Sequence, residues 1–541
     1  MPGPERSPPL RLRPSLPLRV PALVALCLVY LLAGLVGHDP WKTDDAVHFG
    51  ISYAMLGDGS WLAPHLSGEA LVETSPLYYW VAGLGVKALG WLLPAHDAAR
   101  MATGLFGALF LAALALAGSR LHGKEGGGTA VLIAVCSLCL LLPIHDTQPQ
   151  IALLAASAGF YAALARLPLR PVASGVEAGL ALGLGFLAAG LAALLNLLPL
   201  ALLATNRHWR TPGASRGLLI AAAVAAPIIV AWPAALAWIA PDSFSAWWSA
   251  FGLRPQAHAL ALLPAHAELL GWFAWPALPL AVWATWLNRR RLLHPAICLP
   301  LLGAVNSLLM LLLFQQPRPL SALPLLVPLI LLAAAGVARL RRGANNALDW
   351  FAMMTFTLVA ALVWLGGCAI NLELPAKIAG NFSRFQPGFE SDAGVAPWIV
   401  ATLLSLAWFW LIASSPRSPW RGITHWACGV TLTWTLVIAL WLPWVDYGKS
   451  YRSVAVALKK ALPAGQRCIR ERRLGPAQRF SLDYFAGIKT LRADSRGTAA
   501  CDILLEQGSE KPSPAPAGWH KIWEGNRPGD HSERLRLYRR D

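Results

Sequence analysis

The chain has 541 residues, of which 56% are hydrophobic and only 13% are charged, and its mean hydropathy is +0.50. Soluble proteins carry about 25% charged residues, so this composition excludes an ordinary soluble enzyme and a disordered chain. It also excludes a β-barrel porin, whose strands alternate polar and apolar residues. We therefore predict an all-α polytopic membrane protein, in which each helix satisfies its own backbone hydrogen bonds.

Apolar runs long enough to cross a bilayer core of about 30 Å recur through residues 1–443. We predict thirteen spans, at 20–37, 101–118, 128–143, 150–165, 174–188, 190–205, 217–238, 270–287, 293–314, 320–338, 350–371, 397–413 and 424–443. The stretch 174–205 also fits one kinked helix. The first span resembles a signal peptide, but His38-Asp39-Pro40 offers no small-residue cleavage site, so we expect an uncleaved anchor.

The distribution of basic residues predicts the topology. With the N-terminus in the cytoplasm, 19 Arg and Lys residues fall in cytoplasmic segments and 7 in the short outer loops. This asymmetry follows the positive-inside rule and explains most of the net charge of +17, so nucleic-acid binding is not expected. An odd number of spans places the C-terminal tail in the periplasm of a bacterial inner-membrane protein.

Two outer segments are large. The first, residues 38–100, is a periplasmic loop within the transmembrane domain 1–443. The second, residues 444–541, has ordinary polarity and predicts a small α/β periplasmic domain. Its predicted elements are a helix at 451–462 and strands at 501–505, 521–523 and 534–538.

Cysteine usage agrees with this arrangement. Six of the eight cysteines lie in apolar spans, where they act as small hydrophobic residues. The remaining two, Cys468 and Cys501, lie in the tail, and a pair in a small domain on the oxidising side predicts a disulfide. Two buried free thiols are the alternative.

Acidic residues are sparse over 1–443, so their grouping in the first outer segment is informative. Asp44 and Asp45 lie just beyond the first span, where adjacent carboxylates suit an acceptor proton, a metal or a cationic group. The alternative is a helix start, with Thr43 or Asp44 as N-cap and the acids in the first turn. Asp146 lies in a second outer loop so short that we expect it at the membrane surface, close to the first loop.

The stretch from Asp39 to Trp80 resembles the bacterial relatives of the protein O-mannosyltransferases, of which the aminoarabinose lipid A transferases are the best-known branch. These are integral membrane glycosyltransferases of the GT-C type. Their first outer loop carries Asp-Glu-Ala-Arg-Tyr, Gly-Asp-Trp-x-x-Pro-x-x-Asn-Gly and Glu-Lys-Pro-Pro-Leu-Tyr-Tyr-Trp. The matching stretches here are Asp44–His48, Gly59–Gly68 and Glu73–Trp80, with further likeness at Gly185–Gly190 and Pro317–Leu329.

The resemblance implies roles for particular residues. Asp44 matches the family's essential aspartate at the reacting centre, and Asp45 takes the place of the following Glu. Arg254 and Arg318 fall where the family places basic residues near the lipid phosphate. Further substrate-binding positions are implied at His48, Glu73, Thr74, Tyr78 and Asp146.

The chain departs from the family at several of these positions. Thr74 replaces a Lys and so removes one expected phosphate contact, and Val47 and His48 replace an Arg and a Tyr. No His occurs in 247–255, where the aminoarabinose branch keeps a zinc ligand; His258 and His266 lie nearby but are not assigned. The sequence leaves the use of a divalent metal undecided, because it contains no convincing set of ligands. We predict no metal-binding residue.

The predicted function is transfer of a sugar from a polyprenyl-phosphate donor to a periplasmic acceptor such as lipid A, with inversion at the anomeric carbon. The sequence does not identify the transferred sugar, for which the alternatives are aminoarabinose, another amino sugar and a neutral hexose. The acceptor could be another glycolipid or a protein instead of lipid A. The main alternative is a transporter or flippase of a lipid-linked sugar, which should carry charges inside its spans and inverted repeats. A third is a scaffold whose basic tail binds a partner.

Overall fold

A computed structural model of the protein describes residues 18–67, 69–70, 75–206, 211–250, 255–256, 258–392, 394–463, 468–492, 501–509, 511, 514–530 and 532–541. Within these ranges the chain forms a helical body up to residue 449 and a smaller tail built around a β-sheet.

The described part of the helical body contains nineteen α-helices. They are α1 Val20–Leu32, α2 Asp44–Asp58, α3 Leu77–Leu89, α4 Ala95–His122, α5 Lys124–Cys136, α6 Leu138–Leu141, α7 Gln150–Arg166, α8 Pro171–Ala189, α9 Leu191–Leu197, α10 Pro212–Ile239, α11 Pro241–Ala250, α12 Leu263–Phe273, α13 Ala277–Leu287, α14 Pro295–Phe314, α15 Pro319–Ala334, α16 Arg342–Leu372, α17 Ala376–Phe385, α18 Val395–Ser414 and α19 Arg421–Lys449. Short 3-10 helices cover Leu198–Thr205 and Val337–Arg339, and a hairpin pairs β1 His65–Leu66 with β2 Glu69–Ala70.

Seven helices are long and apolar enough to cross a membrane by length and composition. They are α4, α8, α10, α14, α16, α18 and the stretch Arg421–Ala461, which begins with α19. Five shorter apolar segments accompany them, at Val20–Leu32, Gln150–Arg166, Leu191–Leu203, Ala277–Leu287 and Pro319–Ala334. Each of the thirteen predicted runs coincides with a helix or with two consecutive helices. The helical membrane fold is therefore confirmed, whereas the number of spans stays a prediction.

The stretch 174–205, which the sequence left open, is broken at Gly190. This residue has a φ of +59°, a backbone conformation that residues other than glycine rarely adopt. Helix α8 ends before it, and α9 begins after it and continues as a 3-10 turn. The break brings α9 to the wall of a cavity described below.

Helix α8 packs closely against α10 through a face of small residues. A Cβ atom at Gly175 would lie 2.5 Å from the Gly217 carbonyl oxygen, and one at Gly179 would lie 2.6 Å from that of Ala221. Helices in a bilayer associate mainly through such close packing, because lipid offers no hydrophobic drive between them.

The tail consists of α20 Arg452–Ala461, α21 Pro476–Ala486 and a five-stranded sheet. Its strands are β3 Ile469–Arg472, β4 Leu491–Arg492, β5 Ile503–Gly508, β6 Trp519–Gly525 and β7 Arg534–Arg540. They lie in the order β4-β3-β5-β7-β6; β3 is parallel to β4 and β5, whereas β7 is antiparallel to β5 and β6. Leu505 and Leu537 belong to the sheet's buried core.

The predicted tail helix and three strands are confirmed as α20, β5, β6 and β7. The sequence did not indicate β3 or α21. In β3 the residues alternate between buried and half-buried, but three of the four are charged, so the strand carries little apolar signal.

The tail packs on the first outer segment. The Phe49 ring of α2 lies 5.4 Å from Phe480 and 5.1 Å from Tyr484 of α21, measured between ring centroids. Lys42 donates to Glu533 at 2.6 Å, and Arg452 forms an ion pair with Asp39. These contacts fix the position of the loop in which the predicted catalytic residues lie.

The structure joins Cys468 to Cys501, which precede β3 and β5 respectively. We predict that this disulfide forms in cells. Alkylation of the SDS-denatured protein should modify both cysteines only after reduction, because a disulfide sulfur cannot react with maleimide. In the control variant Cys468→Ser, Cys501 should react without reductant. Free labelling of both cysteines in the unreduced wild type would rule the disulfide out.

Candidate active site at the start of the first outer loop

Asp44 and Asp45 open helix α2, and the Thr43 side chain makes no capping hydrogen bond. Successive residues of an α-helix point about 100° apart, since a turn takes 3.6 residues. The two carboxylates therefore face different surroundings: Asp44 is exposed to a cavity, whereas Asp45 is buried.

Asp45 is held by three donors. Its Oδ2 accepts from the Trp41 backbone N–H at 2.9 Å and from Arg100 Nη2 at 3.2 Å, and its Oδ1 accepts from the Thr147 N–H at 2.8 Å. Burial opposes ionisation, but the Arg100 guanidinium and the N–H donors of Thr147 and Trp41 together outweigh it and lower the pKa of Asp45 below its usual range. This arrangement suits a positioning role for Asp45, and the catalytic role predicted for it together with Asp44 stays a prediction.

A cavity of about 720 Å³ opens beside Asp44; we call it the Asp44 cavity. Asp44 and His48 line it from α2, Gln150 from α7, Asn196 from α9 and Arg318 from the start of α15. Apolar residues of α14 complete the wall, including Met310, Leu311 and Phe314. A predicted reacting carboxylate and a predicted phosphate-binding cation thus share one cavity.

The electrostatics of Asp44 suit proton transfer. Partial desolvation in the cavity wall raises the pKa of Asp44 above its usual range, the nearby Asp45 charge adds to this, and Arg318 only partly opposes it. A carboxylate with a raised pKa holds a proton more readily and is therefore a stronger base. Because Arg318 influences Asp44 across the cavity, a ligand between them would contact both charges.

His48 lies beside Asp44 in the cavity wall, and its Nδ1 is 2.8 Å from the Tyr79 hydroxyl. Burial lowers the pKa of His48 to about 4, so the ring is neutral at physiological pH. Tyr78, which the sequence assigned to substrate binding, is fully buried instead and bonds to Thr103 Oγ1 at 2.5 Å. Tyr79 is therefore the tyrosine nearer to the cavity.

Asp146 lies next to this network but does not line the Asp44 cavity. As expected from the short loop, its segment meets the first loop: Thr147 donates to Asp45, and Thr103 Oγ1 donates to the Asp146 carbonyl at 2.7 Å. Burial, reinforced by Asp45, raises the pKa of Asp146 to about 7.

Three predicted positions, Glu73, Thr74 and Arg254, lie outside the described residues. Over the described ranges, no group of three or more His, Cys, Asp or Glu side chains could hold a metal ion. His266 is buried, and its Nδ1 is 2.9 Å from the Leu262 carbonyl oxygen.

Sequence reasoning missed Arg100, Gln150 and Asn196. Arg100 was counted only as an outer-loop charge, although its place at the edge of an apolar run was a signal for burial beside an acid. Gln150 and Asn196 are polar residues at the start of an apolar run or within one, and only the packing of α7 against α9 shows that they share a cavity.

The chain is similar to known proteins over most of its length. It is 28% identical over 437 residues to the undecaprenyl phosphate-alpha-4-amino-4-deoxy-L-arabinose arabinosyl transferase of Pseudomonas savastanoi, covering 77% of this chain and 76% of the relative. The chain is 26% identical over 545 residues to the protein of the same name from Pseudomonas aeruginosa strain UCBPP-PA14. This alignment covers 95% of this chain and 92% of the relative. No family model matches the chain.

The fold is also shared with a solved structure. ArnT from Cupriavidus metallidurans superposes with a TM-score of 0.67 at 17% identity, covering 96% of this chain and 97% of that one, both in the apo state and bound to undecaprenyl phosphate. Fold and sequence together define an integral membrane glycosyltransferase of the GT-C class. Within that class the chain is similar to the ArnT-like transferases, as the first-loop motifs indicated.

We predict that Asp146 makes stability depend on pH. Its folded-state pKa, about 7, exceeds the unfolded value, so the folded state favours the protonated form and loses stability as pH rises towards about 7. Asp146→Asn stays neutral, so its melting temperature in detergent should rise relative to that of the wild type between about pH 4 and pH 7, and the difference should stay constant above about pH 7. Asp392→Asn, at an exposed position, serves as the control. A difference in melting temperature between Asp146→Asn and the wild type that does not change with pH would contradict this prediction.

Proposed function

We propose that the protein transfers a sugar from a polyprenyl-phosphate donor to an acceptor at the outer face of the inner membrane. The observation that carries this proposal is the placement of Asp44 and Arg318 in one cavity. The names of the relatives and the undecaprenyl phosphate bound to ArnT support undecaprenyl phosphate as the donor lipid. They also support aminoarabinose as the sugar and a lipid A-type acceptor.

In the proposed reaction, an acceptor hydroxyl attacks the anomeric carbon of the donor. The new carbon–oxygen bond forms as the bond to the lipid phosphate breaks, and the hydroxyl proton passes to Asp44. Arg318 neutralises the leaving phosphate through charge-assisted hydrogen bonds. A direct displacement of this kind inverts the anomeric centre. With a phosphate acceptor, Asp44 would instead orient it or hold an amino group of the donor.

The apolar part of the Asp44 cavity suits the lipid part of the donor. Leu153, Leu195, Met310, Leu311 and Phe314 line it from three different helices. Burial of isoprenoid carbon against these side chains would stabilise the complex by about 0.8 kcal/mol for each CH₂ group. Arg318 and Asp44 in the same wall would then meet the phosphate and the sugar.

We further propose thirteen spans, a cytoplasmic N-terminus and a periplasmic tail. The positive-inside asymmetry supports this orientation, as does the tail disulfide, which belongs in an oxidising compartment. The tail and the Asp44 cavity then lie on the same side. A transporter is not favoured, because the relatives with which the chain aligns are transferases.

We expect Asp44→Asn to lower transfer by about 10²-fold or more, the usual contribution of a general base, while the protein still folds. Transfer in proteoliposomes that contain an undecaprenyl-phosphate-linked sugar measures this. Asp58→Asn is the matched control, because Asp58 ends the same helix and instead pairs with His65. Activity of Asp44→Asn near that of the control would remove Asp44 from the mechanism.

We expect Arg318→Ala to lower kcat/KM for the donor by about 10²-fold, because the leaving phosphate loses a fixed cation. Thr74→Ala should have a small effect, and Thr74→Lys should partly restore the Arg318→Ala variant by supplying the family's lysine. Arg384→Ala, an exposed arginine that does not line the Asp44 cavity, is the control. Near-normal turnover of Arg318→Ala at limiting donor would mean that the phosphate is held elsewhere, with Arg254 the first residue to test.

A further inference from the structure

Two adjoining cavities lie far from the Asp44 cavity. One, of about 330 Å³, is lined by polar residues that include His122, Glu125 and His294; the other, of about 560 Å³, is lined by Arg289 and Arg290. Both share Asn288, Arg291 and Arg339 in their walls, so they adjoin, and we call the two together the arginine cavity.

The arginine cavity lies at the opposite end of the helical body. Ala296 and Ile297, at the start of α14, line it, whereas Met310 and Phe314, at the end of the same helix, line the Asp44 cavity. Helix α14 has 20 residues and is therefore about 30 Å long, which matches a bilayer core. The two cavities thus lie at the level of opposite membrane surfaces.

Positive charge accumulates in the arginine cavity without matching carboxylates. Three other arginines at this end are paired with carboxylates: Arg120 and Arg166 with Glu177, and Arg421 with Asp349. By contrast, no ion pair to a carboxylate is found for Arg289, Arg290, Arg291 or Arg339 among the residues described. Glu125 is the one acidic residue that lines either cavity in this part of the chain.

Two further features favour an anionic ligand at the level of the lipid headgroups. The start of α14 lies at the cavity wall, and the N-terminus of a helix carries partial positive charge. Beside the cavity, Trp286 is 63% exposed and Leu293 is 60% exposed, and the Arg289 guanidinium lies 4.7 Å from the Trp286 ring centroid. Exposed tryptophan with arginine is typical of a membrane–water interface.

We propose that the arginine cavity binds a phosphate group, supplied by the headgroup of an anionic phospholipid. Arginine side chains bind phosphate through paired N–H donors, and a basic pocket between helix ends at the membrane surface is suited to a lipid headgroup. The site is separate from the sugar-donor site and does not depend on the proposed transfer reaction. Free inorganic phosphate shares the same chemistry and is distinguished by the test.

The test uses the full-length protein in nanodiscs of phosphatidylcholine with phosphatidylglycerol, and native mass spectrometry counts the phosphatidylglycerol retained after release. Arg291→Gln/Arg339→Gln should retain about tenfold less than the wild type, because two charge-assisted contacts are lost. Arg291→Lys/Arg339→Lys keeps the charge and should restore part of the retention, which separates charge loss from misfolding. Arg216→Gln is the control, since Arg216 is exposed at the same end but does not line the cavity.

A second arm measures the melting temperature in a zwitterionic detergent with and without inorganic phosphate. Selective retention of phosphatidylglycerol that depends on the two arginines supports a lipid headgroup site. Stabilisation by inorganic phosphate that is lost in the double Gln variant, without lipid retention, supports the phosphate site but overturns the lipid as its source. Retention and melting behaviour that the double Gln variant leaves unchanged, or that Arg216→Gln lowers equally, would overturn the proposal.

Discussion

The buried ion pair between Asp45 and Arg100 joins the separate segments that form the active site. Asp45 receives hydrogen bonds from the first loop at Trp41, from the second loop at Thr147 and from α4 through Arg100. Removing one partner of such a pair leaves an uncompensated buried charge, at a cost of about 3–5 kcal/mol. Because Asp44 directly precedes Asp45, this pair also fixes the direction in which the Asp44 carboxylate enters its cavity.

A second set of contacts holds the same loop from the tail. Lys42 is bound by Glu533, which also accepts from Tyr451 and Gln478, and Asp39 is bound by Arg452. The catalytic segment is thus fixed on the membrane side by α4 and on the other side by the sheet domain. Reactive groups held in place before the substrate arrives need no reorganisation during the reaction, which is the usual source of electrostatic catalysis.

Much of the helical fold could be predicted because a membrane span must be long and apolar. Each long apolar run of the sequence therefore predicts a helix. The site could be predicted only in part. The resemblance set Asp44 apart from Asp45 and named Tyr78, but a resemblance identifies positions and not side-chain directions. That Asp44 faces the cavity whereas Asp45 is buried depends on contacts of Asp45 with residues far along the chain, namely Arg100 and Thr147. No local pattern encodes those contacts.

The central claim is that Asp44 and Arg318 act on one donor molecule from the walls of one cavity. Cryo-electron microscopy of the Asp44→Asn variant with an undecaprenyl-phosphate-linked sugar tests it most directly, because the donor should bind without turnover. The account predicts the phosphate within hydrogen-bond distance of Arg318 and the anomeric carbon facing residue 44. A donor whose phosphate lies outside the Asp44 cavity, or whose sugar points away from residue 44, would contradict it.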